Sequence, residues 1–260
     1  MNNADKPIRT ALRGRHLDDL RKTLEHYGFE ETNHNPELVI SYGGDGSLLG
    51  AERDFPGVPK LPIRDGRTSE KCTEHGDAKL IEAFLNNKLS RRKMLKLEAQ
   101  TDEHPPLSCL NDIVINKRNI ASSVRYRLRL DNALYAQHLI VGDGLVASTP
   151  FGSTGYYRSI THSLFRSGIG IAFNNSTEPL DHLVVADNTQ IHVEIVRGPA
   201  VLLSDNDPTR IRLRKGNTVV IRKAAQSAII HGLETFRCRR CFDLRYRERA
   251  EGPAIPFTPD

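Results

Sequence analysis

The sequence contains no apolar run long enough to cross a lipid bilayer and no apolar secretory segment near its N-terminus. A transmembrane helix needs about 20 predominantly apolar residues, and every apolar run in these 260 residues is far shorter. The first residues, MNNADKPIRT, are mostly polar, whereas a secretory signal carries an apolar segment of about 7–15 residues. These absences exclude a transmembrane helix, and we expect the chain to reside in the cytoplasm.

Cysteine is scarce, and its spacing gives little support to a disulfide framework or a zinc site. Cys238 and Cys241 form one C-x-x-C pair, which is half of a zinc-ribbon pattern. Cys72 and Cys109 are far apart in sequence and form no second pair. Four free thiols are therefore favoured in a reducing cytoplasm, with a structural zinc at Cys238 and Cys241 as the alternative.

The charge balance is basic, but no recognised nucleic-acid-binding module accompanies it. The chain has 37 Lys and Arg against 32 Asp and Glu, a net charge of +5. The basic residues cluster at 91–93, 210–215 and 237–249. Such clusters fit either a polyanion such as a nucleotide or solvated strand and helix faces. We therefore expect no nucleic-acid partner.

The stretch from Leu38 to Leu49, LVISYGGDGSLL, is the motif around which the rest of the chain is organised. Its apolar start, its glycines and its second apolar part predict a strand, a tight loop and a helix. Glycines let backbone N–H groups at a helix start approach phosphate oxygens. An Asp-Gly hairpin turn is the alternative for this stretch taken alone. The sequence thus places a candidate phosphate site at Gly43, Gly44, Asp45 and Gly46.

The chain is long enough for two domains of different character. Up to residue 90, strands alternate with helices at about 15–27, 47–54 and 78–89, which predicts an α/β domain. From 91 to 235 many short β-branched or alternating segments predict an all-β, sandwich-like domain. No internal repeat or low-complexity segment is present. The predicted domains are therefore 1–90 and 91–235.

Two further motifs lie in the β-rich part. LNDIVI spans residues 110–115, and GDGLVASTPFGSTGYYRS spans residues 142–159. The second motif is dense in small and hydroxyl residues from Ser148 to Ser159, unlike a core strand. Such a segment predicts a loop and a helix start that offer hydrogen-bonding groups to a polar ligand.

GGDGS at 43–47, LNDIVI at 110–115 and GDGLVASTPFGSTGY at 142–156 together resemble the NAD kinases. One GGDG is shared with diacylglycerol-type lipid kinases and phosphofructokinases, but the three motifs in this order are specific. The resemblance implies transfer of the terminal phosphoryl group of ATP, with Mg²⁺, to the adenosine 2′-hydroxyl of NAD. It also implies an NAD kinase-like fold, a segment from about 236 to 260 that packs back on the first domain, and a homodimer or homotetramer.

The resemblance also implies roles for individual residues. Asp45 matches the family's candidate general base, and the neighbouring glycines meet phosphate. Asn111 and Asp112 match an Asn-Glu pair that holds ribose hydroxyls, and Asp143 matches a contact to the nicotinamide side of NAD. The residues that match the adenine and ribose pocket are Thr154, Gly155, Tyr156 and Ser159.

Several positions depart from the family pattern. Arg64 and Asp65 lie in PIRDGRTSE, where the family usually has a Gly-Ile-Asn segment, and Thr68 and Glu70 replace apolar residues. Asp112 is one methylene shorter than glutamate, and LSDN at 203–206 replaces the usual Ile-Asp-Gly. Val141 stands where a basic residue is common. One hypothesis is that Arg64 reaches a phosphate of the donor or the acceptor.

These departures leave two alternatives open. One is a related GGDG kinase whose acceptor is another nucleotide, a sugar or a lipid. The other is a dinucleotide sensor without turnover, which Asp45 argues against because a pure binder needs no base. The sequence also leaves open the phosphoryl donor, which is ATP, another triphosphate or polyphosphate, and the choice between NAD and NADH.

Overall fold

The computed structural model describes residues 6–67, 71–135 and 139–250 and divides the chain into two compact units. Unit 1 contains the described residues of 1–51, 58–92 and 229–260, and unit 2 contains 52–57 and those of 93–228. The predicted division had its boundaries after residues 90 and 235. Thr68 and Glu70 lie outside the described residues. No described helix is long and apolar enough to span a membrane.

Unit 1 is built on a sheet whose first strands are parallel. Its strands are β1 (Ile8–Gly14), β2 (Phe29–Glu31), β3 (Leu38–Tyr42), β4 (Lys60–Ile63), β5 (Arg91–Met94) and, from later in the chain, β19 (Ala228–His231). The last two residues of β5 and the first residue of β19 belong to unit 2. The strand order is β2-β1-β3-β4-β19-β5. Because β1, β3 and β4 run parallel, their carboxyl ends meet at one edge, where open α/β sheets bind ligands.

The helices of unit 1 include the three that the sequence predicts and two, after residue 232, that it does not. They are α1 (Leu17–His26), α2 (Asp45–Asp54), whose last three residues belong to unit 2, α3 (Asp77–Leu85), α5 (Leu233–Phe236) and α6 (Arg239–Ala250). Leu20 and Leu24 of α1 and Leu80 and Ile81 of α3 are buried in one core with the sheet. The expected α/β organisation of this part is confirmed.

Unit 2 contains two antiparallel sheets. One has the order β10-β9-β15-β18-β6-β7, with β11 also paired to β9; its strands are β6 (Leu97–Gln100), β7 (Leu107–Cys109), β9 (Val124–Leu130), β10 (Ala133–Leu134), β11 (Ile140–Gly142), β15 (Ile191–Arg197) and β18 (Thr218–Lys223). The other has the order β14-β13-β12-β8-β16-β17; its strands are β8 (Asp112–Lys117), β12 (Gly144–Ser148), β13 (Ile169–Asn174), β14 (His182–Val185), β16 (Ala200–Ser204) and β17 (Ile211–Leu213).

The two sheets of unit 2 share one apolar core. Alternate residues of β8 and β12, such as Ile113 and Leu145, lie in the same buried cluster as Tyr126 and Val193 of the other sheet. The outward-facing Val114, Val146 and Ala172 pack instead against Tyr157 of α4 (Tyr156–Thr161). This alternation is that of a β-sandwich, so the predicted all-β second part is confirmed.

Candidate functional site

The glycine-rich segment forms a tight turn between β3 and α2. Gly43 has φ of 140°, and a Cβ on it would lie 2.4 Å from the Ser47 Oγ, so only glycine fits there. The Gly43 N–H donates to the Ile63 carbonyl at 2.8 Å. Helix α2 begins at Asp45 itself, so the predicted strand, loop and helix are all present. The loop lies at the carboxyl edge of the parallel sheet.

Asp45 is exposed and lies beside basic groups of unit 1. Its side chain is 51% exposed, and its Oδ1 lies 3.7 Å from Nη2 of Arg64. Arg64 is held in place because its Nε donates to the Phe236 carbonyl at 3.0 Å and its guanidinium lies 4.1 Å from the centre of the Phe236 ring. Burial lowers the pKa of Arg237, while the Asp45 charge raises it. Asp45 thus shares its surroundings with two guanidinium groups.

In unit 2, Asp205 holds the backbone of the LND motif. Its Oδ1 accepts the N–H groups of Asn111 at 2.8 Å and Asp112 at 3.0 Å, and its Oδ2 accepts the Leu110 N–H at 2.7 Å. Hydrogen bonds from N–H groups to a carboxylate are stronger than neutral ones. The start of β8 is therefore fixed by a carboxylate more than 90 residues later in sequence. LSDN departs from the family pattern, but its sequence alone does not indicate this role for Asp205.

Asp112 is a buried carboxyl group close to the charge of Asp205. Its residue is 7% exposed, and burial, followed by the Asp205 charge, raises the pKa of Asp112 to about 7. Burial also raises the pKa of Asp205, but the three N–H donors oppose that rise. Asp205 is therefore the ionised member of the pair, and Asp112 titrates near neutrality.

Asn111 brings a hydrogen-bond acceptor that has no partner in the described part of the chain. Its buried Oδ1 makes no hydrogen bond, although buried polar atoms rarely stay unpaired. A ligand hydroxyl would satisfy this atom. The side-chain amide of Asn111 therefore offers an unpaired hydrogen-bond acceptor, and the carboxyl group of Asp112, the next residue, offers a titratable one.

The small-residue motif is joined to LND by a dense hydrogen-bond network. The Asn111 carbonyl accepts the Thr149 N–H at 2.8 Å, and the Thr149 Oγ1 donates to the Leu110 carbonyl at 2.6 Å. Gly152 lies so close that a Cβ on it would be 2.2 Å from the Asn111 oxygen. Two motifs that are distant in sequence therefore form one corner of unit 2. Thr154, Gly155 and Ser159 follow as exposed residues.

Asp143 and Tyr156 are held by neighbouring residues, Asn175 and Asn174. Lys117 Nζ is 2.6 Å from Oδ1 of Asp143, and Asn175 donates to Oδ2 at 2.9 Å; these bonds hold the pKa of Asp143 below its usual value. Asn174 donates to the Tyr156 hydroxyl at 3.0 Å. Burial and then the charges of Asp143 and Asp112 raise the pKa of Tyr156, so the structure brings these three predicted residues together.

Lys117 places a positive charge beside Asp143, although the sequence alone does not indicate this contact. Lys117 ends β8, and its N–H donates to the Asp143 carbonyl at 2.7 Å. Its role follows from the antiparallel pairing of β8 with β12, which no local sequence pattern reveals. In the described part of the chain, one group of three or more His, Cys, Asp or Glu side chains lies close enough together to hold a metal ion, at Cys72, His75, Cys238 and Cys241.

Comparisons with known proteins agree with the motifs. A model of the ATP-NAD kinase C-terminal domain matches residues 110–231. The NAD kinase of Acidobacterium capsulatum is 33% identical over 206 residues, which cover 74% of this chain and 71% of that protein. The NAD kinase of Syntrophotalea carbinolica is 31% identical over 238 residues, or 82% of each chain.

Solved structures share the fold at lower identity. An NAD kinase from Archaeoglobus fulgidus, solved with ATP, has a TM-score of 0.70 at 20% identity and covers 88% of this chain and 96% of its own. Yeast NADH kinase, solved with NADH, has a TM-score of 0.79 at 14% identity and covers 98% and 91%. The identity and coverage of the bacterial relatives, together with the matching motifs, establish that this chain belongs to the NAD kinase family.

Proposed function

We propose that this protein is an NAD kinase, which transfers the terminal phosphoryl group of ATP to the adenosine 2′-hydroxyl of NAD and forms NADP. The observation that carries the proposal is the exposed Asp45 carboxylate at the start of α2, next to Arg64. Phosphoryl transfer mainly requires alignment and neutralisation of charge, with one group to accept the proton of the attacking hydroxyl. This part of unit 1 offers both kinds of group.

In this reaction Asp45 accepts the proton of the 2′-hydroxyl of NAD. The 2′-oxygen attacks the γ-phosphorus of ATP, and the bond from the γ-phosphorus to the bridging oxygen breaks, which releases ADP. Arg64 and Arg237 neutralise negative charge on the phosphates. Gly43, Gly44 and Gly46 allow the phosphates to approach the backbone at the start of α2. The ATP bound by the Archaeoglobus kinase supports ATP as the donor.

Mg²⁺ fits the donor groups of this segment. The Asp45 carboxylate is an exposed oxygen donor, and Mg²⁺ in kinases is usually held by one or two carboxylates together with substrate phosphates. Asp45 would hold the ion with the phosphates of ATP. When bound, the ion neutralises the charge that develops on the phosphoryl oxygens.

In unit 2 we assign the binding of NAD to the corner built on Asp205. Asn111 and the ionised form of Asp112 accept hydrogen bonds from ribose hydroxyls, and Asp143 contacts the nicotinamide side. Thr154, Gly155, Tyr156 and Ser159 line the adenine and ribose pocket. The NADH bound by the yeast enzyme supports a dinucleotide as the acceptor.

The other functions are less well supported. A lipid acceptor would need an apolar groove, whereas Thr154, Gly155, Tyr156 and Ser159 present polar or small groups to solvent. A sensor without turnover leaves the exposed Asp45 without a role. The family resemblance further supports a cytoplasmic homodimer or homotetramer, which sedimentation of the purified chain would test.

The test is an assay of NADP formation. The purified protein is incubated with magnesium, ATP and NAD, and NADP is read through an NADP-specific dehydrogenase. Asp45→Asn is compared with Asp18→Asn. The Asp18 side chain is 89% exposed on α1, so this control substitution removes the same charge at a different place. Replacement of ATP by polyphosphate, and of NAD by NADH, identifies the preferred substrates.

We expect the wild type and Asp18→Asn to form NADP and Asp45→Asn to lose activity by at least a hundredfold. Absence of NADP in a wild-type protein that binds NAD by calorimetry would contradict the proposal and favour the sensor. Phosphorylation of a nucleoside or sugar but not of NAD would favour a different acceptor.

A further inference from the structure

Four side chains of unit 1 converge in the geometry of a metal site. The ligand atoms of Cys72, His75, Cys238 and Cys241 all lie within 4.8 Å of one another. The Cys72 sulfur is 3.3 Å from that of Cys241 and 3.9 Å from that of Cys238, and the His75 Nδ1 is 3.1 Å from the Cys241 sulfur. Around a tetrahedral zinc with ordinary bond lengths, neighbouring ligand atoms lie about 3.3–3.8 Å apart.

Each pair of ligands is set by a short turn. Cys72 immediately precedes a 3-10 helix at Thr73–His75, and the His75 N–H donates to the Cys72 carbonyl at 2.9 Å. Cys238 immediately precedes α6, and the Phe242 N–H donates to its carbonyl at 3.0 Å. The Cys72 N–H also donates to the Cys241 sulfur at 3.2 Å. The C-x-x-H pair of Cys72 and His75 and the C-x-x-C pair of Cys238 and Cys241 therefore face each other, although they are more than 160 residues apart in sequence.

The arrangement differs from ordinary buried thiols and from a disulfide. Cys109 shows what a core cysteine looks like here, since it is 1% exposed among the apolar strands of unit 2. The three other cysteines group with a histidine instead. A disulfide needs sulfurs about 2.05 Å apart, and a single bond would leave one thiol and His75 unused.

The donor atoms favour zinc. Thiolates with an imidazole are soft ligands that suit Zn²⁺, and four protein ligands make a closed, structural site rather than a catalytic one. Three thiolates, a neutral imidazole and Zn²⁺ carry a net charge of −1. Arg239 and Arg240, which lie between the last two ligands in sequence, pair with Asp243 and Glu74.

We propose that Cys72, His75, Cys238 and Cys241 bind one structural Zn²⁺ that fastens the start of α6 to the loop after β4. Phe236 and Arg237 come directly before Cys238, and Phe236 holds Arg64 beside Asp45. The metal therefore positions the basic residues around Asp45 without contacting the substrate.

The first experiment measures bound metal in the full-length protein. The chain is produced in zinc-supplemented medium, purified without chelators and analysed by inductively coupled plasma mass spectrometry. We expect about one zinc per chain in the wild type and in Cys109→Ala, and less than a tenth of that in the double variant Cys238→Ser, Cys241→Ser. Cys109→Ala is the matched control because it removes the one cysteine outside the cluster.

Cobalt spectroscopy keeps the proposal testable where the double variant does not fold. Co²⁺ added to the metal-free wild type should give the visible bands of a tetrahedral site and a thiolate-to-cobalt charge-transfer band. His75→Cys, which supplies a fourth thiolate, should retain metal and strengthen that band. His75→Ala should weaken metal binding by at least tenfold.

Three results would overturn the proposal. The first is a folded wild type that contains no zinc and gives no tetrahedral cobalt spectrum. The second is full zinc content in the double cysteine variant. The third is a protein isolated with a disulfide between Cys72 and Cys241, two mass units lighter than its reduced form, in place of the metal. Each readout is independent of kinase activity, so failure of the function proposed above leaves this test intact.

Discussion

The segment around Asp45 and the corner around Asp205 are both predicted to serve one reaction, but they are held in different ways. The Asp45 side chain is 51% exposed, and its Oδ1 lies 3.7 Å from Nη2 of Arg64. Asp205, in contrast, accepts three backbone N–H groups within 3.0 Å. The carboxylate assigned to chemistry keeps room to approach substrate, while the groups assigned to binding are fixed before substrate arrives. Rigid positioning reduces the entropy lost on binding.

The largest expected effect comes from removing the Asp45 carboxylate. Asp45→Asn should lower kcat by about 10²–10⁴-fold, the usual contribution of a general base, while changing the KM for NAD and the midpoint of urea unfolding little. Steady-state kinetics and urea titrations of the same preparation check both parts. A variant with normal kcat would show that Asp45 is only a turn residue.

The second effect concerns stability instead of catalysis, and it comes from replacing Asp205. Asp205→Asn replaces one of the accepting oxygens with a donor that faces a backbone N–H, so we expect the free energy of unfolding to fall by about 3 kcal/mol. Asp207→Asn is the control, because Asp207 accepts from the Thr209 N–H in the exposed loop nearby. Equal urea midpoints for the two variants would contradict the anchoring role.

The third effect is a dependence of NAD binding on pH through Asp112. Because its pKa is about 7 and ribose hydroxyls favour the ionised acceptor, the KM for NAD should rise about tenfold per pH unit below 7 and level off above 8. Asp112→Asn should remove this slope. A wild-type KM that does not vary between pH 5.5 and 8 would contradict the assignment.

The same group should affect stability with a defined sign. The folded pKa is raised above the ordinary value of 3.8, so the protonated form stabilises the fold. That contribution is complete below about pH 4 and is lost as the pH rises through 7. Relative to Asp112→Asn, the wild type should therefore lose stability between pH 4 and 7 in urea titrations, and a parallel pair of curves would show that Asp112 is not buried as described.

The smallest effect is expected at Arg64. Arg64→Ala should raise the KM for ATP or for NAD about fivefold, because it removes a guanidinium that Phe236 holds in place, and a substrate phosphate then loses one contact. Arg64→Lys keeps the charge but not the planar group, and should recover only part of this loss. Unchanged constants for both substrates in Arg64→Ala would rule out a phosphate contact.

The parts of the fold that depend on near neighbours could be predicted from the sequence. The strand, loop and helix at 38–54 follow from local periodicity and glycine placement, and the short alternating segments correctly indicated a β-sandwich. Several strands were not predicted, among them β1, β2, β7, β13 and β19. In β1, IRTALRG mixes charged and apolar residues, and this strand pairs with β3, which is distant in sequence.

The parts of the site that depend on distant residues could not be predicted. Asp205 acts on residues 93–95 positions earlier, and no local pattern marks it apart from the LSDN segment. Cys72 and His75 were missed as a pair because only cysteine partners were sought for Cys238 and Cys241. A search for C-x-x-H as well as C-x-x-C would have identified the missing half.

The strand order of unit 1 has a consequence for how the chain matures during synthesis. Strand β19 lies between β4 and β5, yet it is made after the whole β-sandwich of unit 2. Until Ile230 pairs with Lys60, one edge of β4 has no neighbour from this sheet, and open edges promote aggregation. Domains usually fold in the order in which they leave the ribosome, but here the unit that begins the chain is completed last.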